Sequence, residues 1–315
     1  MRLYSPKVRC RLAVPARYVP VPMTRSNARR SVLHAVALAS AAVLYAATSS
    51  GLSRSLVQAP RSPAQAPPPA TAKPAEMDAE AAAVGSAVAT LAGFVREVPL
   101  RVQVAAGWKP GSSPVGGVWV VGELGGAAEL GDIWKGGAVA DVELVTSNGA
   151  VAARGRATIS AGSRTFRLAL TPAAPLAPGE YGLRAGARAG SAAVPVREAL
   201  RFALRDAPEA NGALWIRRGQ STRNREVPTA DLRYRRNEQV RVEVPTLSAE
   251  IGSARLLDRT GKALSVSVIA AVRDDGDGSR WRTAQLALAQ LAPGDYVIEL
   301  SEGDKRMLTA FRVVE

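Results

Sequence analysis

Leu176-Ala177-Pro178-Gly179-Glu180-Tyr181 returns almost unchanged as Leu291-Ala292-Pro293-Gly294-Asp295-Tyr296, an offset of 115 residues. The same features precede each copy in the same order. A hairpin-type segment ends at Gly149 or Gly261, and a strand follows in which arginine neighbours an aromatic residue. Such a repeat with matched flanks is typical of a duplicated structural unit. The sequence therefore predicts two copies of one domain.

Around the two copies, apolar residues recur at every second position in short runs, as in half-buried β-strands. Turn signals such as Asn148-Gly149 and Thr260-Gly261 separate these runs. The runs are Val98/Leu100/Val102/Val104, Val142/Leu144, Phe166/Leu168/Leu170, Tyr181/Leu183, Leu200/Phe202/Leu204, Val240/Val242/Val244, Leu264/Val266/Val268, Leu286/Leu288, Tyr296/Ile298/Leu300 and Phe311/Val313. The pattern predicts an all-β protein of two tandem immunoglobulin-like antiparallel β-sandwiches, over residues 96–207 and 208–315.

A tyrosine closes each copy of the repeat, at Tyr181 and Tyr296. Each follows a Pro-Gly turn, so its ring can enter the core while its hydroxyl bonds back to the turn. That is the arrangement of the tyrosine corner in immunoglobulin-like sandwiches. We therefore expect both tyrosines to be structural.

Three segments precede the sandwiches. Residues 1–57 form a leader, residues 58–75 are a Pro/Ala-rich spacer unable to build a core, and residues 76–95 predict a short amphipathic helix. The apolar stripe of that helix consists of Met77, Val84, Val88, Leu91 and Val95. We expect this stripe to pack on the sandwich that follows it in the chain.

The leader has the composition of an export signal. Arg25, Arg29 and Arg30 stand just before the apolar stretch from Val32 to Ala47. A basic segment followed by a short apolar stretch is typical of a secretory signal peptide. The two adjacent arginines also fit a twin-arginine signal. The signal is either cleaved or retained as a membrane anchor, and translation starts at Met1 or at Met23. Both alternatives predict an extracytoplasmic location in the periplasm or cell envelope, with membrane contact only through an uncleaved N-terminal helix.

The net charge of +14 is concentrated in the leader and spacer. The first 75 residues contain eleven Lys or Arg and no Asp or Glu, which leaves 30 basic and 27 acidic residues in the other 240. A nucleic-acid-binding domain needs a strong basic excess of its own. The nearly balanced charge of the predicted sandwiches therefore argues against nucleic acid as a partner.

The chain has one cysteine, Cys10, and one histidine, His34, and both lie in the leader. The predicted sandwiches therefore lack the usual general base, the usual thiol nucleophile and two common transition-metal ligands. We expect no catalytic site, no cofactor and no metal centre, and hence a protein that is not an enzyme.

The junction of the two repeats carries a family resemblance. The segments Leu214–Thr222, Val227–Asp231 and Arg233–Arg236 resemble the region behind the A domain in secreted bacterial proteins related to the von Willebrand factor A domain (VWFA), and the likeness extends over Val98–Glu315. This resemblance implies an extracytoplasmic protein built for interaction. The Asp-x-Ser-x-Ser metal-adhesion motif of the A domain itself is absent, so no adhesion or metal residues carry over.

The same junction is the best candidate for an anion-binding site. Between positions 217 and 241 there are eight arginines and three acidic residues. The guanidinium fork suits carboxylate, sulfate and phosphate groups. The candidates are Arg217, Arg218, Arg235 and Arg236. The alternative is a structural segment whose arginines pair with the local acidic residues.

Clustered carboxylates at Asp274, Asp275 and Asp277 form a second candidate, because carboxylates interleaved with glycines can hold Ca²⁺. The first repeat has no counterpart, which favours a polar hairpin tip.

Tryptophans form a third candidate, since exposed indole rings bind sugars. Trp119 and Trp281 lie in strand patterns and are expected in the cores. Trp108 and Trp134 lie in glycine-rich loops and are the candidates for binding.

Together these observations predict a non-enzymatic, extracytoplasmic interaction or scaffold protein of the bacterial cell envelope. Its expected partner is another envelope protein. The alternative is a polysaccharide- or polyanion-binding module that uses the arginine-rich junction to hold an anionic glycan.

Overall fold

The computed structural model describes residues 74–125, 133–190 and 194–315. The predicted leader, with Cys10 and His34, and nearly all of the predicted spacer lie outside these residues. Within the described residues, no helix has the length and apolar character that a membrane crossing requires.

The first sandwich consists of seven strands in two sheets. One sheet has the order β1-β2-β5 and the other β4-β3-β6-β7, with every pairing antiparallel. The strands are β1 (Leu100–Lys109), β2 (Val115–Leu124), β3 (Ala138–Thr146), β4 (Val151–Ile159), β5 (Thr165–Leu170), β6 (Gly179–Arg188) and β7 (Val196–Leu204).

The second sandwich pairs a five-stranded sheet, β13-β14-β11-β8-β9, with a four-stranded sheet, β10-β16-β15-β12. The strands are β8 (Leu214–Arg218), β9 (Val227–Thr229), β10 (Arg233–Arg235), β11 (Gln239–Pro245), β12 (Ser253–Asp258), β13 (Ile269–Asp274), β14 (Arg280–Ala287), β15 (Gly294–Glu302) and β16 (Lys305–Val314). All pairings are antiparallel except that of β10 with β16. The predicted fold class of two tandem immunoglobulin-like sandwiches is confirmed.

The two repeats differ in the position of one strand, which is β4 in the first sandwich and β13 in the second. In the first sandwich a tight turn with Gly149 at φ +85° returns the chain as β4 beside β3. In the second, the chain between β12 and β13 crosses to the opposite sheet, and β13 pairs with β14. The predicted strand at Leu264/Val266/Val268 is therefore wrong, because these residues lie in this crossing. They alternate because each packs partly against the second core.

Tyr181 and Tyr296 occupy equivalent places, on β6 and β15. The hydroxyl of Tyr181 donates to the carbonyl oxygen of Ala177 at 2.7 Å, and that of Tyr296 donates to Ala292 at 2.8 Å. Each bond ties the start of a strand to the turn four residues before it. The repeated motif thus builds the same local structure twice.

Replacing Tyr181 by phenylalanine should lower the free energy of unfolding by about 1 kcal/mol, because it removes one net hydrogen bond from a buried ring. Tyr296→Phe should have a smaller effect, since Tyr296 is more exposed. Urea unfolding measures both. Tyr234→Phe is the control, because the buried Tyr234 hydroxyl has no hydrogen-bond partner in the described structure and its removal should not destabilise. Equal losses in all three variants would contradict this role.

The predicted helix is present as α1 (Pro74–Phe94), but it packs on the second sandwich. Val84 and Leu91 are buried in the second core cluster, and Glu80 pairs with Arg255 and Arg306. The expectation that α1 covers the adjacent first sandwich is therefore wrong. The apolar period identified the buried face of the helix correctly, but a helical stripe alone does not identify its partner.

The two sandwiches pack sheet against sheet. The outer face of β1-β2-β5 lies on the outer face of the five-stranded sheet, where Trp119 meets Trp281 edge-on with ring centroids 4.8 Å apart. Gly107 allows a close approach, since a Cβ atom there would lie 2.8 Å from the Cβ of Pro245. As a result β1 and β2 are buried on both faces along most of their length.

Polar groups lock the same interface. Glu123 of the first sandwich accepts hydrogen bonds from the Thr229 hydroxyl and from the backbone N–H groups of Ala230 and Asp231, at 2.7–2.9 Å. A carboxylate that accepts several such bonds fixes the position of the strand that donates them.

Glu243 on β11 is fully buried and contacts three arginines. It pairs with Arg167 of the first sandwich at 2.7 Å, and with Arg241 and Arg273 of its own sheet at 3.0 and 2.9 Å. Burial opposes ionisation of this carboxyl, but the hydrogen bond from Arg273 and the three positive charges outweigh it and lower its pKa. Glu243 is therefore a buried, ionised link between the sandwiches.

Candidate functional site

The structure separates the first two of the four predicted anion-binding arginines. Arg217 and Arg218 are neighbours on β8, so their side chains leave opposite faces of the sheet. The guanidinium of Arg217 lies 4.8 Å from the ring centroid of Tyr234 and donates to the carbonyl oxygens of Asp231 and Arg233, at 3.0 and 2.8 Å. Arg217 therefore stabilises the strand junction and does not form one surface with Arg218.

The other three predicted arginines are exposed and hold few partners. Arg218 donates to the carbonyl oxygen of Asn224, and Arg236 donates to that of Ala289. Arg235 lies at the end of β10, where its backbone N–H donates to Glu238. These three side chains remain accessible to an anion.

Two other arginines of this segment, Arg233 and Arg241, pair with acidic residues. Arg233 contacts Asp231 and Glu97, and Arg241 contacts Glu226 as well as Glu243. The pKa of Asp231 is lowered, because the hydrogen bonds and charges of Arg233 and Arg101 outweigh its burial. Three of the eight arginines, Arg217, Arg233 and Arg241, thus contact acidic residues within the fold, and the other five are exposed.

The predicted aspartate cluster docks onto the first sandwich. Asp277 accepts bonds from the Lys109 ammonium at 3.0 Å and from the Trp119 indole at 3.2 Å. Asp275 pairs with Arg167 and Arg273. Burial opposes ionisation of Asp277, but these bonds and those from Ser279 lower its pKa strongly. Asp275 and Asp277 are used as interface contacts, whereas Asp274 pairs with Arg280 of the neighbouring strand. The described residues contain no group of three or more candidate metal ligands.

The tryptophans are placed differently from the prediction. Trp119 and Trp281 are buried, but between the sandwiches and not in their cores. Trp134, a candidate for sugar binding, is buried in the first core because the loop folds its ring inward. Trp108 packs partly against the same core and donates to the carbonyl oxygen of Arg205 at 2.9 Å. None of these rings forms an open binding platform.

A cationic surface that the sequence analysis missed lies on the outer side of β6 and β7. The side chains of Tyr181, Leu183 and Ala185 point inward, so the arginines at alternate positions point outward. This arginine face consists of Arg184, Arg188, Arg197 and Arg201. All four are exposed, and none forms a hydrogen bond or ion pair with any residue that the structure describes.

The neighbouring strands complete the electrostatics of this sheet surface. Arg154 and Arg156 on β4 pair with Glu143 and Asp141 on β3 at 2.9 and 2.6 Å, so this part is neutral. Among the described residues of these four strands, Glu180 at the start of β6 is the remaining acidic residue on the same side. The excess positive charge therefore belongs to the arginine face. Its sequence signal was the spacing Arg184-x3-Arg188 and Arg197-x3-Arg201, which places each pair on one side of a strand.

No family model matches the chain, and no curated protein matches it. Among solved structures, the titin immunoglobulin tandem domains A164-A165 are similar at 12% identity over 67% of this chain and 96% of that chain, with a TM-score of 0.19.

Proposed function

We propose that this chain is a non-enzymatic, extracytoplasmic interaction protein of the bacterial cell envelope, secreted or held by an N-terminal helix, and related to the region behind the A domain of VWFA-related proteins. The proposed partner is another envelope protein with an acidic surface. The observation that carries this proposal is the arginine face, a cationic sheet surface whose four arginines form no hydrogen bond or ion pair with any described residue.

The use of charge within the fold supports an interaction role. Three buried or partly buried carboxylates with lowered pKa, Asp231, Glu243 and Glu299, contact arginines that hold strands or sandwiches together. Catalytic carboxylic acids instead need a pKa tuned towards the working pH. These carboxylates therefore fit a structural role.

Arginine is enriched at protein interfaces, where its planar fork pairs with carboxylates. The sheet beneath the arginine face is held by the first core, so these charges are presented without reorganisation of the strands. A rigid array of like charges favours a partner with complementary acidic groups.

A second candidate function is the binding of an anionic glycan. The same four arginines form no ion pair with any described residue, and sulfate or carboxylate groups of a polysaccharide can meet them in bidentate geometry. Such binding depends on exposed charge and weakens with salt, because the screening length is about 10 Å at 0.1 M.

Two charge-matched variants test both candidates. The face variant combines Arg184→Ser, Arg188→Ser, Arg197→Ser and Arg201→Ser. The segment variant combines Arg218→Ser, Arg225→Ser, Arg235→Ser and Arg236→Ser, which removes four exposed arginines from the junction. We expect both to keep their stability within about 1 kcal/mol, as exposed substitutions generally do.

The readout is quantitative capture from a solubilised envelope fraction, followed by binding of the purified captured protein. We expect the wild type and the segment variant to bind one protein with the same affinity and the face variant to bind it at least tenfold more weakly. Heparin chromatography tests the glycan candidate, for which the face variant alone should elute at clearly lower salt. Unchanged binding by the face variant in both assays would overturn both candidates. Loss of binding in the segment variant alone would show that the binding site lies at the junction between the repeats.

A further inference from the structure

The register of β6 and β7 sets the order of the side chains on the arginine face. Residues directly opposite one another on paired strands lie on the same face of a sheet. Three of the four arginines lie opposite glycine or alanine, in the pairs Arg184 with Ala199, Arg197 with Gly186 and Arg201 with Gly182. The arginines therefore alternate between the two strands along the sheet, in the order Arg188, Arg197, Arg184 and Arg201.

The four arginines are evenly spaced along the strands, because successive members of this order are two residues apart. An antiparallel strand rises about 3.4 Å per residue, so each step along the arginine face is about 6.8 Å. In an extended peptide, alternate side chains leave the same side of the chain and repeat at this same step. An extended segment that lies along β6 and β7 therefore presents one side chain to each arginine.

The side chain of Arg197 leans from β7 over the neighbouring strand. Its Cγ atom lies 4.0 Å from the position that a Cβ atom on Gly186 would occupy. Because Gly186 has no side chain, the stem of Arg197 has room to lean over the line between the strands. Ala199 leaves similar room opposite Arg184, since its side chain ends at Cβ. Arginines of both strands can therefore meet a ligand that lies between them.

Acidic residues border the arginine face on the side of β3. Asp141 lies opposite Gly186 and Glu143 lies opposite Arg184, and both carboxylates pair with arginines of β4. They would repel a ligand carboxylate placed over β3, because like charges in close contact are unfavourable. The favourable strip is therefore about one strand pair wide. Its width and its even spacing fit a single extended segment better than a broad acidic surface.

We propose that the arginine face binds an extended acidic segment of its partner protein, with Asp or Glu at every second position. The segment lies along β6 and β7, and each of four alternate carboxylates pairs with one arginine. The intervening side chains point away from the sheet and are free to vary. This inference rests on the proposed function, because it specifies which part of an acidic partner the arginine face recognises.

Two blocked heptapeptides of identical composition and charge test the spacing with the full chain. The alternating peptide, Glu-Thr-Glu-Thr-Glu-Thr-Glu, presents all four carboxylates on one side when extended, whereas the block peptide, Thr-Thr-Glu-Glu-Glu-Glu-Thr, presents two. We expect the alternating peptide to bind about fivefold more tightly, which is the value of two further exposed ion pairs. Isothermal titration calorimetry at low ionic strength measures both affinities, since exposed charges are then screened least.

A swap variant tests the position of the charges without changing their number. It combines Arg197→Ala with Ala199→Arg, which moves one guanidinium by one step so that it lies opposite Arg184. Both positions are exposed, so we expect the variant to fold, and thermal unfolding checks this. Its affinity for the alternating peptide should fall by about two- to threefold, the value of one exposed ion pair, while that for the block peptide should not change.

A single substitution gives a second test of the same strip. Ala199→Glu places a carboxylate opposite Arg184 and should weaken binding of the alternating peptide by at least as much as the swap variant does. Ala287→Glu is the matched control, because it adds the same charge at an exposed strand position of the second sandwich and should leave the affinity unchanged.

The outcomes separate this inference from the proposed function. Equal affinities of the wild type for both peptides, or a swap variant with the wild-type preference, overturn the extended segment. If the face variant still loses both peptides in that case, the proposed function stands and the surface binds by net charge alone. If the face variant binds both peptides like the wild type, the proposed function fails as well. Binding of heparin but of neither peptide assigns the arginine face to a glycan and overturns the inference.

Discussion

Replacing Trp281 by alanine is expected to lower the free energy of unfolding by about 3–5 kcal/mol and to split thermal unfolding into two transitions. Trp281 is fully buried between the sandwiches, against Trp119 and beneath the guanidinium of Arg167, which lies 4.9 Å from its ring centroid. Its loss removes the contact between the two indole rings at the centre of the apolar cluster between the sandwiches. The two cores would then be free to unfold separately.

Differential scanning calorimetry measures both effects. The matched control is Trp134→Ala, which removes an equally buried indole from the first core without touching the interface. Trp134→Ala should lower the free energy of unfolding by a similar amount, and the loss should fall on the first sandwich alone. A double-mutant cycle with Trp119→Ala should give a coupling energy of about 0.5–1.5 kcal/mol for the ring pair. A single transition with unchanged midpoint in Trp281→Ala would show that the interface contributes little to stability.

Replacing Glu243 by glutamine should destabilise the chain by about 3 kcal/mol, near the lower end of the range for breaking a buried ion pair. The substitution preserves the shape of the side chain but leaves Arg167, Arg241 and Arg273 without their shared counter-charge. Those arginines are partly exposed, which limits the loss. Urea unfolding gives the value. Glu143→Gln is the control, since Glu143 pairs with Arg154 at the surface and should change stability by less than about 1 kcal/mol.

The pH dependence of the same variant provides a second check. The folded-state pKa of Glu243 lies below its usual 4.5, so the unfolded chain takes up the proton first as the solution is acidified. Its contribution to stability is complete above about pH 4.5 and is lost as pH falls through the lowered pKa. Glu243→Gln should therefore lose less stability than the wild type between neutral pH and pH 3. Parallel curves for the two proteins would contradict this assignment.

Sequence periodicity predicted the strands that have one face in a core and one in solvent. On β6, Tyr181 and Leu183 alternate with exposed residues, and the strand was read correctly. On β2 the run Val118-Trp119-Val120-Val121 has no such period. Its alternate side chains pack into the first core and into the interface between the sandwiches, so all four are buried. Periodicity therefore does not predict the face-to-face packing of the two sheets, and the strand pattern predicts a core position for Trp119, which instead lies between the sandwiches.

The candidate site was harder to predict because charge in a sequence does not show which charges remain free. The junction between the repeats has more arginines, but Arg217, Arg233 and Arg241 contact neighbouring aromatic or acidic side chains. The arginine face has fewer residues, spread over two strands, and only the strand register brings Arg184 and Arg197 to the same surface. The number of charges along the chain does not reveal this shared surface. The alternation of apolar residues and arginines within β6 and β7 does, because it places the arginines on one side of each strand.

The position of α1 has a consequence for how the chain reaches its native state. Glu80 of α1 contacts Arg306 of the last strand, a separation of 226 residues. Contacts of this span require closure of nearly the whole described chain, and such long-range contacts slow folding. The helix is synthesised before both sandwiches, but the surface on which it packs is incomplete until β16 has been synthesised. We therefore expect α1 to dock only after β16 has been synthesised, so a chain that lacks β16 should expose Val84 and Leu91 to solvent.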